Sequence, residues 1–258
     1  MKEILITNDD GFDSEALKAL VEAVSDLGHV TVVAPSTNKS ACGHSLTLTK
    51  PMRFISVDDD YYKLEDGTPS DCIYLALNSL FDNKKPDLVI SGINAGANMG
   101  EDITYSGTAS GAMEAVLHGV PAFSISQVMT QTEEGGYQYT LDLAKITARN
   151  IAKRLLESDL ALPERRFLNV NIPNLKPHEC KGYKVTKAAY RHYGNDAHLH
   201  VNPRGEEYYW LGLHPLDWRD EEGCDFNAVF DGYISITPIK LDMTCYDTIK
   251  ITEEWLHQ

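Results

Sequence analysis

Two adjacent carboxylates, Asp9 and Asp10, stand just beyond the short apolar run Ile4-Leu5-Ile6 and are followed by Gly11. Neighbouring acids at the end of a buried strand repel each other and lose solvent unless a cation compensates them, which makes the pair candidate ligands for a hard divalent metal. An Asp-Asp-Gly turn is also what an ordinary solvated loop contains, so the reading depends on what else reaches the same place. Ser36 to Ser45, with Ser40, Cys42, Gly43 and His44, follows the apolar run His29 to Ala34. Asn94 and Asn98 lie in the glycine-rich run Gly92 to Gly100, directly after Asp87 to Ser91. If the three apolar runs are strands of one parallel sheet, the loops meet at the strand C-termini, where carboxylate, hydroxyl and carboxamide oxygens can surround one cation. All-oxygen ligands favour magnesium or manganese over zinc, with calcium a third candidate. Singly, Ser40 and Asn94 are well explained as turn caps; their convergence with Asp9 and Asp10 is what points to a site.

The chemistry such a site suits is phosphomonoester hydrolysis. That reaction needs charge neutralised on the nonbridging oxygens, a water activated and an alkoxide stabilised, and one cation on Asp9 and Asp10 serves the first two needs. Neutral Ser40 and Asn94 complete its surroundings without repelling a phosphate dianion. Donors around Gly43, Asn98, Ser106 and Gly107 can cradle the phosphate oxygens, helped by the positive end of a helix beginning near Ser106. Asp9 is the preferred base or water-orienting group, and His44 and His118 are available proton donors that also read as ordinary solvated or capping residues. Cys42 invites a thiol mechanism, but no base and orienting partner accompany it beyond His44, so it reads as packing. Two alternatives stay open: a phosphatase forming an aspartyl-phosphate on Asp9, and a nucleotide-binding protein without turnover. The glycine-rich run lacks the Gly-x-x-x-x-Gly-Lys-Ser pattern and does not follow the first strand, which disfavours a P-loop or dinucleotide site.

The elements that must position these residues alternate in the first half. Glu15 to Leu27 carries Leu17, Leu20, Val21, Val24 and Leu27 on one face, with Asp13 or Ser14 as N-cap and Gly28 past its end, and reads as an amphipathic helix. His29 to Ala34 reads as a buried strand closed by Pro35. Thr68-Pro69-Ser70-Asp71 combines a threonine cap, proline at the first helical position and an acid three residues after the cap, and starts a helix to about Leu80. Asp87 to Ser91 is a strand ending in the glycine-rich run, Ser106 to His118 a helix, and Ala122 to Ser126 a strand. This pattern gives an α/β fold with a mostly parallel sheet and flanking helices. After a helix over Leu141 to Leu156 and a strand over Phe167 to Ile172, the character changes. Gly182 to Ala189, Glu207 to Leu211 and Tyr233 to Thr237 read as strands joined as hairpins, and Thr252 to Leu256 as a short helix. The expected division is an α/β catalytic core over 1–180, a β-rich C-terminal oligomerisation arm over 181–240, and a segment over 241–258 returning to the core or to a partner subunit. The stretch Tyr208-Tyr209-Trp210 presents more aromatic surface than so small an arm can cover, and burial against another subunit solves that problem.

Composition bounds the partners. The 258 residues are 43% apolar with 23 basic and 38 acidic side chains, a formal charge of -15, which argues against a nucleic acid polymer or an anionic membrane as main partner. No stretch reads as a membrane span or a secretory leader, so a cytoplasmic protein is expected. The five cysteines are widely spaced with no Cys-x-x-Cys pair, which supports neither a structural zinc nor a disulfide framework.

Several separated motifs then occur in a telling order: Asn8-Asp9-Asp10-Gly11, Val33-Ala34-Pro35 leading to Ser40 and Ser45, Gly67-Thr68-Pro69-Ser70-Asp71-Cys72, Ser91-Gly92-Ile93-Asn94-Ala95-Gly96, Tyr105-Ser106-Gly107-Thr108 and Gly232-Tyr233-Ile234-Ser235-Ile236-Thr237-Pro238. Together they resemble the SurE family, the survival-protein-E nucleotidases, over nearly the whole chain. The resemblance implies a Rossmann-like core and a metal-dependent phosphatase releasing phosphate from nucleoside 5′- or 3′-monophosphates, with some members trimming short polyphosphate. It implies one divalent ion per subunit on Asp9, Asp10, Ser40 and Asn94, with Asn98, Gly43 and Ser106 near the phosphate. It also implies exchanged C-terminal arms building a homodimer or homotetramer. One departure is Ala97, where the family pattern has proline; it loosens the loop and removes no ligand.

Overall fold

The computed structural model describes residues 1–81, 84–157, 162–194, 197–212 and 216–257. Its strands, in chain order, are β1 (Glu3–Thr7), β2 (His29–Pro35), β3 (Phe54–Asp58), β4 (Tyr61–Leu64), β5 (Leu88–Ala95), β6 (Ala122–Gln127), the short β7 (Thr130–Gln131) and β8 (Tyr137–Gln138), β9 (Arg166–Ile172), β10 (Tyr183–Val185), β11 (Ala197–Val201), β12 (Glu207–Leu211) and β13 (Ile234–Lys240). Nine of them form one sheet in the order β10-β13-β9-β6-β5-β1-β2-β4-β3. All neighbours are parallel except β13 with β9 and β3 with β4. From β1 the chain moves outward through β2 and then returns to the other side of β1 as β5, so the strand order reverses between β1 and β5. That reversal opens a crevice beyond the C-terminal ends of the two strands, the usual place for a ligand in an open α/β sheet.

Period-two alternation explains the layers. Ile4 and Ile6 of β1 pack on one face with α1 (Glu15–Val24) and α4 (Asp142–Glu157), through Leu17, Leu20, Leu143 and Ile151. Leu5 points the other way into α2 (Pro69–Ser79) and α3 (Gly107–Leu117), among Cys72, Ile73, Ala109 and Ala112. The start of α2 is as read from sequence: Thr68 Oγ1 accepts from the Asp71 N–H at 3.1 Å, the Asp71 carboxylate accepts from the Thr68 N–H at 2.9 Å, and Pro69 opens the helix.

Four expectations are corrected. Helix α1 stops at Val24, and Gly28 is no helix cap: a Cβ there would lie 2.4 Å from the Lys2 carbonyl oxygen, so glycine answers a close strand approach. Strand β5 does not end at Ser91 but continues through the glycine-rich run to Ala95, with a register shift against β6 between Ser91 and Asn94 and a cis Gly92–Ile93 peptide. In the C-terminal half, the segments expected as hairpins at 182–189 and 233–237 instead pair in parallel as β10 and β13 and extend the main sheet. The antiparallel hairpin of the region is β11 with β12. Helix α6 (Ile249–Leu256) starts three residues before the expected Thr252, and its Ile251, Trp255 and Leu256 are exposed. No described helix is long and apolar enough to cross a membrane.

Candidate metal and phosphate site at the strand reversal

β1 delivers Asp9 and Asp10 to the crevice by burying Ile4 to Thr7. Asn8, itself fully buried, closes the turn by donating to the Gly11 carbonyl at 2.9 Å and accepting from the Gly11 N–H at 3.3 Å. Asp9 is almost completely buried, and its carboxylate accepts from the Thr108 N–H at 3.1 Å and from the Thr108 hydroxyl. Thr108 lies in the first turn of α3, whose N-cap is Ser106, with its hydroxyl accepting from the Ala109 N–H at 2.9 Å. The approach is so close that a Cβ on Gly107 would stand 2.9 Å from the Asp9 carboxylate and 2.9 Å from the Cys42 sulfur. Gly107 therefore lets the helix N-terminus reach the acid.

The remaining candidates are tied to the same pair. Asp10 accepts from the Ala95 N–H at 3.1 Å, which seats the end of β5 beside it, and from the Asn38 amide at 3.5 Å. Asn38 in turn accepts from the Ser40 N–H at 2.9 Å, and the Lys39 N–H donates to the Asp9 carbonyl at 2.7 Å. Ser40 is exposed at the mouth, while the Gly43 N–H, in a left-handed residue with φ of 57°, donates to the Tyr105 carbonyl at 3.0 Å. Asn94 commits its amide nitrogen to the Gly96 carbonyl at 2.9 Å, which leaves its carbonyl oxygen as the end suited to a cation. Asp9, Asp10, Ser40 and Asn94 are thus carried on segments that bond directly to one another.

Asn98 is placed differently from the other phosphate candidates. Its amide donates inward to the Ser126 hydroxyl at 2.8 Å, its N–H donates to Asn171 at 2.9 Å, and its carbonyl accepts from Asn169 and Asn171 at 2.7 and 3.0 Å. These bonds hold the glycine-rich loop to the strands beneath it. Cys42 is no thiolate: burial first, then the nearby Asp9 charge, pushes its thiol up to about 11, in keeping with a packing role. His44 and His118 share one buried carboxylate, Glu114, at 2.7 and 3.0 Å. Burial pushes Glu114 up, but the two histidines outweigh that and hold it below the usual carboxylate range. Glu114 lies seven residues beyond Gly107, about 10 Å down α3 from the crevice, which makes His44 an anchor of its loop and removes His118 from proton transfer.

Sequence reading missed Thr108. Thr108 was visible only as the residue after Ser106-Gly107, and nothing local shows that it grips Asp9.

Electrostatics support a cation. Burial, and then the charge of Asp10, push Asp9 up to about 6 against the Thr108 hydrogen bonds, so the pair lacks a compensating charge of its own. Among the described residues no group of three or more His, Cys, Asp or Glu side chains is placed to hold a metal ion. The candidate set has only two members of those types; its hydroxyl and carboxamide oxygens complete a donor set that fits a hard divalent ion. The raised Asp9 pKa has a testable consequence in metal-free protein. Its folded value exceeds the unfolded one, so its contribution to stability is greatest below pH 3.8 and is lost as pH rises through 6. Asp9→Asn should therefore be more stable than the parent by about 3 kcal/mol at pH 8, with the gap closing towards pH 4. Denaturant unfolding in chelator across that range checks this, and a pH-independent gap would contradict it. In the glycine-rich loop, Asn94→Ala should lower kcat/KM by at least about tenfold, since a ligand oxygen is lost, whereas Ala97→Pro should stay near the parent. Turnover at saturating metal compares them directly, and unchanged activity in Asn94→Ala would count against the ligand set.

An open, mostly parallel sheet with an oxygen-rich crevice at the reversal of its strand order defines a Rossmann-like α/β protein. A family model described as Survival protein SurE matches residues 4–195, and the chain belongs to the SurE family. The protein named 5'-nucleotidase SurE of Aliarcobacter butzleri (strain RM4018) is 60% identical over 263 residues, covering 100% of both chains. The protein of the same name from Helicobacter hepaticus (strain ATCC 51449 / 3B1) is 57% identical, covering 99% of each. The crystal structure of the SurE protein from Aquifex aeolicus matches with a TM-score of 0.85 at 42% identity, over 99% of this chain and 100% of that one.

Proposed function

We infer that the chain is a metal-dependent 5′-nucleotidase, hydrolysing nucleoside 5′-monophosphates, and 3′-monophosphates as a second class, to nucleoside and phosphate. The observation that carries the reading is the pair Asp9 and Asp10 at the strand reversal, one gripped by the N-terminus of α3 and the other by the end of β5. The names of the full-length relatives support the same activity. Asp9, Asp10, Ser40 and Asn94 would hold one magnesium or manganese ion, which when bound would offset the phosphate charge and acidify a water. Thr108 fixes the Asp9 carboxylate so that it can orient that water or take its proton. The Gly107 backbone and the Ser106 hydroxyl line the side on which phosphate oxygens would sit, where the α3 dipole favours a dianion, whereas the Gly43 N–H is committed to the Tyr105 carbonyl and does not serve as a phosphate donor.

We also read the protein as a cytoplasmic homodimer or homotetramer, with the β11–β12 hairpin and the exposed α6 as the parts that meet another subunit. Phosphate release from nucleoside 5′- and 3′-monophosphates in manganese, magnesium and chelator tests the activity. Release that stops in chelator and returns with metal is expected; no release with any divalent ion would overturn it.

A further inference from the structure

We propose that Tyr105 and Tyr193 form an aromatic corner that receives the nucleobase of the substrate, stacked on the face of one ring and met edge-on by the other, an inference that rests on the nucleotide reading above. Tyr105 directly precedes Ser106, and its carbonyl holds the Gly43 N–H, so its backbone bridges the Gly43 loop and the phosphate cradle. Its ring is 59% exposed and meets the Tyr193 ring, itself 51% exposed, edge to face at 6.3 Å between centroids. Nothing local requires an aromatic residue in that position, and an exposed pair beside a polar crevice leaves apolar faces towards solvent.

The pair is also held in place, which a surface tyrosine seldom is. The Tyr193 hydroxyl donates to Asp102 at 2.9 Å, and Asp102 takes the Arg191 Nε at 2.8 Å on its other oxygen. Arg191 is almost fully buried; its guanidinium lies 5.3 Å from the Tyr193 ring centroid and donates to the Asp217 carbonyl at 2.5 Å. The buried guanidinium fixes the ring on one side and leaves the rest of its surface open. Asp102 lies in the 3-10 turn Gly100–Thr104 that joins the glycine-rich loop to Tyr105, so the same bonds fix both rings relative to the crevice. A preorganised aromatic surface one residue from a phosphate cradle suits a flat base attached to that phosphate through a sugar. Stacking of this kind reads the π-face and not the base edge, so it favours nucleotides over sugar phosphates while discriminating weakly among bases.

The test compares AMP and GMP with ribose 5-phosphate on manganese-loaded protein. Tyr105→Ala and Tyr193→Ala should each raise KM for both nucleotides about tenfold while kcat and the KM for ribose 5-phosphate stay within about twofold of the parent. Tyr105→Phe should restore the parent KM, because the ring and not the hydroxyl does the binding. Parallel losses on nucleotides and ribose 5-phosphate would mean a damaged cradle and overturn the aromatic corner, as would unchanged KM for AMP in Tyr105→Ala. The parent separates the two readings: if it releases no phosphate from AMP, the nucleotide assignment falls and takes the aromatic corner with it.

Discussion

Asp9→Asn and Asp10→Asn are each expected to lower turnover of nucleoside monophosphates by about 10³-fold with circular dichroism unchanged. Each variant keeps the shape of the side chain and removes one unit of negative charge, so the loss falls on cation binding and water activation and leaves packing alone. For Asp9 the fold should survive in particular, because an asparagine carbonyl still accepts from Thr108 and the buried charge disappears. For Asp10 the partners are one backbone N–H and one surface amide, and both tolerate an amide in its place. Metal titration and turnover on the same preparations decide the matter. Parent-like metal affinity together with parent-like turnover in both variants would remove the pair from the site.

The second large effect concerns assembly. In the β11–β12 register, Leu199 faces Tyr209 and Ala197 faces Leu211, and strand alternation puts Val201 on that same side. Leu199, Val201, Tyr209 and Leu211 are all at least half exposed, an apolar face bordered at one end by Glu207 on a two-stranded ribbon too small to bury it. A second copy of the hairpin can cover it through a symmetric contact in which each substitution counts twice. Leu199→Glu with Tyr209→Glu removes two such side chains per copy, at roughly 1.5–3 kcal/mol each. The dissociation constant should therefore rise by about 10⁴-fold or more. Light scattering over a wide concentration range should show the parent as an oligomer and the double variant one assembly level lower. A parent that is monomeric and fully active at micromolar concentration would refute the arm contact. Because β10 and β13 belong to the main sheet, the test changes only the hairpin and leaves the core strands in place.

What the sequence could and could not reveal follows from the range of the interactions. Strand β1 and the capping box at Thr68 rest on residues within four positions of one another, and both were readable. The four proposed oxygen donors can be nominated from sequence because each follows an apolar run; the structure adds that their segments bond to one another. The extension of β5 was not, because the glycine that signals a loop is required there by β6: a Cβ on Gly92 would stand 2.3 Å from the Ile125 carbonyl oxygen. The parallel pairing of β10 with β13 spans some fifty residues and leaves no local trace, so alternating apolar residues between prolines and glycines looked like hairpins. Thr108 on Asp9 and His44 on Glu114 are contacts 99 and 70 residues apart. Only the fold brings such partners together, and residue type alone assigned Thr108 no role.

The loop after β2 is fastened at closely spaced points: Lys39 to the Asp9 carbonyl, Gly43 to Tyr105, His44 to Glu114, the Ser45 carbonyl to Thr68 and Thr47 to both oxygens of Asp71. The longest gap between those fastenings is Ser40 to Cys42, and even there the Ser40 N–H donates to Asn38 and the Cys42 N–H to the Lys39 carbonyl, so the stretch is too short and too tied to swing as a body. Slow lids open over microseconds to milliseconds and often set the pace of an enzyme, whereas side chains on a pinned strap rearrange within nanoseconds. Turnover at this crevice has no slow gate in that loop to wait for, and its rate should be independent of solvent viscosity wherever the chemical step is limiting.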